Sequence, residues 1–325
     1  PFYVDAATAA REEPEALEAL LSARAADGAP CCGWVGPQGA GHFVKMVHNG
    51  IEYGEMQLIC EAVHLLREGL GLSAGEAGQV LARWGGEGRG SYLLDITSRI
   101  LARKDADGAP LVDKILDQAG QKGTGAWAVS AALELGVAIP LIGEAVFARS
   151  LSAQKQARLA AAPLYPRPEV PRPADRTGFA ADLGRALYGA RVAAYAQGVE
   201  LLRAASDQWG WDLDWGQIAL LWRAGCILRS PLLEEVAAAR RRGAESLITD
   251  RVFAHALREA LPGWRRTAAA ALTLGIPVPA LAAGLSWLDG SAAAVLPANL
   301  LQAQRDCFGA HTYRRTDRPE EEAFH

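Results

Sequence analysis

Between residues 41 and 289 the apolar residues recur three and four positions apart, and the strict alternation of a half-buried strand is nearly absent. A chain with that spacing buries helical stripes against one another rather than sheet faces. The spacing predicts helices over 41–69, 75–84, 91–103, 110–119, 125–135, 141–159, 176–208, 214–228, 231–242, 246–259, 262–274 and 279–289, and an earlier one over 13–26. Glycine and proline mark the seams, at Gly69, Gly85-Gly86, Gly136, Pro140, Gly210, Pro262 and Gly275-Ile276-Pro277. Phe2–Val4 reads as the end of a strand, and the proline-rich 163–173 as an extended connector. Residues 303–325 lose periodicity and gain charge, as in a tail ordered only when something holds it.

The totals narrow the class. Half of the 325 residues are hydrophobic, enough for a sizeable core. A net charge of −4 gives no bulk attraction to nucleic acid or an anionic membrane. No stretch has the roughly 18 uncharged apolar residues of a membrane span. Five cysteines without a C-x-x-C pair argue against a disulfide framework and a zinc site. The expectation is a cytoplasmic globular protein. One helical unit recurs: Glu61-Ala-Val-His-Leu-Leu-Arg67 with Leu81-Ala-Arg-Trp84 is echoed by Gln197-Gly-Val-Glu-Leu-Leu-Arg203 with Leu220-Leu-Trp222, which reads as an internal duplication.

Chemistry concentrates in the first helix. Lys45, His48, Asn49, Glu52 and Tyr53 stand at i, i+3, i+4, i+7 and i+8, a single face, and that face is polar. Phe43, Val44, Val47 and Ile51 form an apolar face beside it. A solvated face with a surface Lys–Glu pair is the plain alternative. Against it stand the apolar flanks and the poor helix formers Asn and His. Glycines 41, 50 and 54, each costing about 1 kcal/mol in a helix, imply close approach of another backbone or a ligand.

The string Gly39-Ala-Gly-His-Phe-Val-Lys-Met-Val-His-Asn-Gly-Ile-Glu-Tyr-Gly-Glu-Met-Gln-Leu-Ile-Cys-Glu-Ala62 resembles the signature of the 6-phosphogluconate dehydrogenases. Four further motifs follow in that family's order: Asp117–Gly125, Leu141–Arg149, Leu221–Ser230 and Ala303–His311. The resemblance implies a mainly α fold. It comprises a large all-helical domain with an internally duplicated helical unit, preceded by a short remnant of an α/β nucleotide-binding domain. The implied divisions are 1–38 for the remnant, 39–296 for the substrate-binding and dimerisation domain, and 297–325 for a partial tail reaching a partner subunit.

The resemblance also implies an activity, the metal-free oxidation of 6-phosphogluconate at C3 by NADP and decarboxylation of the 3-keto acid to ribulose 5-phosphate. Removal of hydride from C3 requires its hydroxyl to lose a proton, and the enediol left by carbon dioxide must gain one, so a base and an acid are needed. Lys45 matches the family's base and Glu52 its acid. His48 and Asn49 match ligands of the sugar hydroxyls, and Tyr53, Lys122 and Arg149 ligands of the phosphate. Arg305 and His311 match residues given to the partner's site, hence an expected homodimer with composite sites. The family's Gly-x-Ala-x-x-Gly dinucleotide loop has no counterpart. Gly36–Gly41, the only glycine-rich candidate, matches the lead-in to the catalytic helix, so the chain as written is expected to bind NADP poorly. A non-catalytic helical dimerisation or sugar-phosphate-binding module is the competing reading. A smaller 3-hydroxyacid dehydrogenase relative ranks below both, because it would lack the duplicated half and the Arg305/His311 tail.

Overall fold

The computed structural model describes residues 2–4, 22–319 and 322–325, so most of the helix expected over 13–26 lies outside the described residues. Strand β1 (Phe2–Val4) pairs in parallel with β2 (Cys32–Trp34). The other named elements are helical. They are α1 (Ala40–His64), α2 (Ala74–Trp84), α3 (Tyr92–Ala102), α4 (Thr124–Glu134), α5 (Pro140–Ser152), α6 (Lys155–Ala161), α7 (Arg176–Trp209), α8 (Trp215–Leu221), α9 (Leu232–Arg241), α10 (Arg251–Thr273), α11 (Pro279–Ser291) and α12 (Ala298–Gly309). The predominantly helical reading holds. No described helix is long and apolar enough to cross a membrane. The chain divides into two compact units, Pro1–Leu285 and Ser286–His325.

Where the elements differ from expectation, local chemistry explains it. Residues 110–119 form only a single 3₁₀ turn, Leu111–Lys114, because Lys114 is drawn back to Asp105 and Asp107 at 2.6 Å each. The span 141–159 breaks after Ser152, whose hydroxyl donates to Arg149 O (2.7 Å) and accepts from Ala119 N (2.9 Å). The span 214–228 stops at Leu221, and Gly225 beyond it takes φ +67. Residues 246–259 and 262–274, expected as two helices, are the single helix α10 from Arg251 onward, with Pro262 inside it. Proline removes one backbone hydrogen bond. The stripe Phe253, Leu257, Ala260, Trp264, Ala268 and Ala271 is buried continuously across that point and outweighs the loss. Residues 303–309, expected to be aperiodic, belong to α12.

Helix α7 is buried on nearly every side, as an Ala/Gly-rich helix at the middle of a bundle must be, and α1 and α10 pack on it. Its glycines set the distance of approach. A Cβ at Gly198 would lie 2.5 Å from Ile51 Cδ1, and one at Gly189 3.0 Å from the Ala260 Cβ.

The duplication is deeper than the first echo. Phe43, Leu65, Leu66 and Arg67 of α1 and its continuation recur as Phe179, Leu201, Leu202 and Arg203 of α7. Ala132-Leu-Glu-Leu-Gly136, leading to Pro140, recurs as Ala271-Leu-Thr-Leu-Gly275, leading to Pro279. Both closing glycines take positive φ, +68 and +65. The halves cap each other's helices. Gln197 Oε1 of α7 accepts from Ile142 N at the start of α5 (3.3 Å). At the equivalent position of α1, the Glu61 carboxylate accepts from Ala280 N (2.9 Å) and Leu281 N (2.8 Å) at the start of α11.

This exchange makes a stability prediction. Burial pushes the Glu61 carboxyl up to about 7, against the hydrogen bonds from Gln57, Leu281 and Ala280 that favour its charge. A carboxyl raised on folding contributes stability that is complete below its unfolded value, near 4.5, and is lost as pH rises through about 7. Gln197 performs the same cap with a neutral amide, so Glu61→Gln should fold. Its denaturation midpoint should fall less between pH 4.5 and 7 than that of the parent. Parallel pH series for the two proteins would count against the assignment.

Candidate active site

The polar stripe of α1 is assembled as its spacing predicts, and the glycines explain how. Cβ atoms at Gly50 would meet the Ala128 Cβ (3.2 Å) and Ile142 Cγ2 (3.3 Å), and one at Gly54 Leu141 Cδ2 (3.0 Å). Their absence lets α1 sink onto α4 and α5, so at these two positions the close approach is made by protein.

His48 is the hub. It is 1 % exposed, and its Nδ1 lies 3.3 Å from Lys45 Nζ, 3.3 Å from Asn49 Oδ1 and 3.7 Å from Glu52 Oε2. Lys45 and Glu52, two helical turns apart in sequence, are thereby brought within reach of one small molecule. Burial, reinforced by the nearby Lys45 charge, pushes the imidazole down to about 3, so His48 is neutral at physiological pH. Nδ1 thus faces both a donor, Lys45 Nζ, and an acceptor, Asn49 Oδ1, while Nε2 is a buried atom with no protein partner. Burial pushes the Glu52 carboxyl up, against the pull of Lys45 and Arg149. A raised carboxyl suits a proton donor.

One turn on, Tyr53 is 7 % exposed and the guanidinium of Arg149 from α5 stacks 3.5 Å above its ring centroid. Arg149 is braced by Gly120 O (3.2 Å) and Met56 Sδ (3.4 Å). Lys122 is exposed in the loop leading to α4, whose N-cap Gly123 takes φ +92 and provides no side-chain cap. The first amides of α4 therefore have no side-chain cap, the setting in which a helix N-terminus can take an anion. Gly125 in that first turn is obligatory, since a Cβ there would lie 2.6 Å from two Tyr53 ring carbons. Gly125→Ala should displace Tyr53, cost about 1–3 kcal/mol by overpacking and raise KM for a phosphorylated substrate. An unchanged melting temperature and KM would remove Gly125 from the site.

Four contributors were not legible beforehand. Trp222 packs edge-on against His48, with ring centroids 5.2 Å apart. Met56 and Gly120 brace Arg149 through contacts that have no spacing rule. Thr124 begins α4, and the Gly-Thr-Gly run around it was the one available signal. Arg305 and His311 lie in the second unit. Arg305 Nη1 donates to Gln302 Oε1 (3.1 Å) on α12, and the exposed His311 packs against Phe308 with centroids 6.1 Å apart.

The Gly36–Gly41 segment does not fit a dinucleotide loop. Gly36 follows β2, but a Cβ on it would lie 2.9 Å from the Ala40 Cβ and 3.2 Å from Leu213 Cδ2, so protein fills the space a pyrophosphate would need.

Residues 41–325 match the family model described as 6-phosphogluconate dehydrogenase, C-terminal domain. The chain belongs to that family. It is 50 % identical to the decarboxylating 6-phosphogluconate dehydrogenase of Haemophilus influenzae over 307 residues, 94 % of this chain and 63 % of that protein. It is 52 % identical over 292 residues to decarboxylating enzyme 1 of Saccharomyces cerevisiae, 89 % of this chain and 60 % of the other. A solved structure of Plasmodium falciparum 6-phosphogluconate dehydrogenase, described in apo form and in complexes with its cofactor NADP+ and its substrate 6-phosphogluconate, matches with TM-score 0.89 at 39 % identity. That match covers 92 % of this chain and 65 % of that one. The chain thus spans less than two thirds of the length of these relatives.

Proposed function

We propose that this chain carries the substrate-binding and proton-transfer machinery for oxidative decarboxylation of 6-phosphogluconate to ribulose 5-phosphate and carbon dioxide. The observation that supports it best is the Lys45–His48–Glu52 cluster, with a neutral histidine between a lysine and a raised carboxyl. NADP, the family's cofactor, would supply the hydride acceptor. Lys45 takes the C3 hydroxyl proton and then, as an ammonium, faces the C3 carbonyl oxygen while the carboxylate departs. Glu52 delivers a proton to the enediol carbon. His48 and Asn49 hold the hydroxyls. Arg149, Lys122 and the uncapped end of α4 hold the phosphate at the Tyr53 end.

We also infer a homodimer in which Arg305 and His311 enter the partner's site. Its support in the first unit is the apolar surface of α5, α6 and the following turn, where Phe147, Leu151, Leu159 and Leu164 are all exposed. Large apolar side chains exposed together on neighbouring elements are expected to be covered by another protein surface. The test is turnover of 6-phosphogluconate and NADP by the full-length protein, following NADPH and ribulose 5-phosphate together. NADPH formation without the pentose, or no turnover at all, would defeat the reading.

A further inference from the structure

The duplication gives the candidate active site a counterpart. Matching α1 to α7 by sequence places Ala181, Gly184, Arg185 and Tyr188 at the positions of Lys45, His48, Asn49 and Glu52. The tryptophans obey the same relation. Trp222 of the second half covers His48, and Trp84 of the first half covers Gly184, where a Cβ would lie 2.7 Å from the indole Nε1. The groove beside Trp84 is therefore the pseudo-symmetric equivalent of the site beside Trp222. Ala181 and Tyr188 remove the base and the acid, so this second groove has no means of performing the same proton transfers.

Its cations remain. The groove is a cavity of about 750 Å³, lined by Arg83 of α2, Arg89, and Arg176 and Arg185 of α7. That volume lies in the range of small-molecule sites. Two carboxylates share the lining, and both have local partners. Glu76 closes the capping box with Ser73 (2.8 Å), and Glu87 lies 3.6 Å from Arg89. Arg185 is held by Asp182. Arg83 and Arg176 are exposed and make no hydrogen bond or ion pair within 4 Å among the described residues, though the charge of Arg176 is near enough to help hold the Glu76 carboxyl below its usual range. Two unpaired guanidinium forks over an apolar indole wall suit a phosphoryl group with a small organic body.

We propose that this groove is a second binding site, for a small phosphomonoester, distinct from the site on α1. It does not depend on the assignment of Lys45 and Glu52. The test is ¹⁹F NMR of the full-length protein labelled with fluorotryptophan and titrated with inorganic phosphate. Trp84 reports on this groove, and the exposed Trp127, in the first turn of α4, reports on the first site. The two signals are assigned with Trp84→Phe and Trp127→Phe. The Trp84 signal should titrate in the parent, and in R83E/R176E its midpoint should move at least about ten-fold higher. The Trp127 response should be untouched in that variant and weakened in K122A/R149A, which should leave Trp84 titrating as before. A Trp84 signal that stays put, whatever Trp127 does, or one that titrates undiminished in R83E/R176E, overturns the proposal. A normal Trp84 response with Trp127 unaffected by K122A/R149A would instead count against the reading of the first site alone.

Discussion

Lys45→Met should lower kcat by about a hundred- to ten-thousand-fold, with a much smaller change in KM, the range expected when a positioned general base is removed. The informative companion is Lys45→Arg. Arginine restores the cation facing Glu52 and the donor to His48 Nδ1, but it cannot give up its proton in a protein. If Lys45 acts as the base, the arginine variant is nearly as slow as the methionine variant. If Lys45 merely holds a charge near Glu52, arginine recovers most of the rate, and recovery would sink the assignment. The pH dependence separates the partners further. His48 is held neutral by burial, its pKa near 3, so it contributes no limb to the kcat profile near pH 6.5. Glu52 must be protonated to donate, and its pKa is raised by burial, so the rate falls as pH climbs through that value. Glu52→Gln should remove the alkaline limb together with most of the turnover. A limb that survives in the glutamine variant belongs to another group.

The stripe on α1 was legible because a helix converts sequence spacing directly into a face, and a polar face with apolar flanks is hard to explain otherwise. The helical class was legible for the same reason. Contacts joining segments far apart in sequence were not. Nothing in the spacing of 41–57 places Trp222 against His48 or Arg149 over Tyr53, because those meetings depend on how α5 and the turn after α8 pack. Pro262 misled in the other direction. Proline is a local rule, and here a buried stripe running from Phe253 to Ala271 overrode it. The split at 152–155 depended on Ser152 and on Lys155 and Arg158 meeting Asp117, long-range pairings no periodicity reports. The duplication was visible only as an echo. Its second member, the Leu-x-Leu-Gly runs before Pro140 and Pro279, became evident once Gln197 and Glu61 were seen capping those two helices.

The largest stability effect is expected where α1 crosses α7. Glu55 and Arg191 stand at equivalent positions of the two halves, meet at 3.0 Å (Arg191 Nε to Glu55 Oε1), and are 0 % and 1 % exposed. Arg191 Nη1 also donates to Arg89 O at 2.6 Å, tying the turn after α2 to the bundle. The pair is close as an ion pair, but neither carboxylate oxygen has a well-aligned hydrogen-bond partner, so its attraction does little beyond offsetting the desolvation of two charges. Removing one partner leaves the other buried and uncompensated. Glu55→Leu should therefore cost about 3–5 kcal/mol of unfolding free energy, and Arg191→Met as much or more, since it also orphans the Arg89 carbonyl. The double variant should be far more stable than the sum of the two losses predicts, because no charge is stranded. Urea denaturation of the four proteins measures the coupling. Additive losses would mean that the two charges do not sense one another across the crossing. A mild single loss would mean that water or a rearranged side chain reaches the remaining charge. Strong coupling would identify the crossing as a point where the duplicated halves depend on opposite charges at matching positions, so that neither half could keep its residue if the other were changed alone.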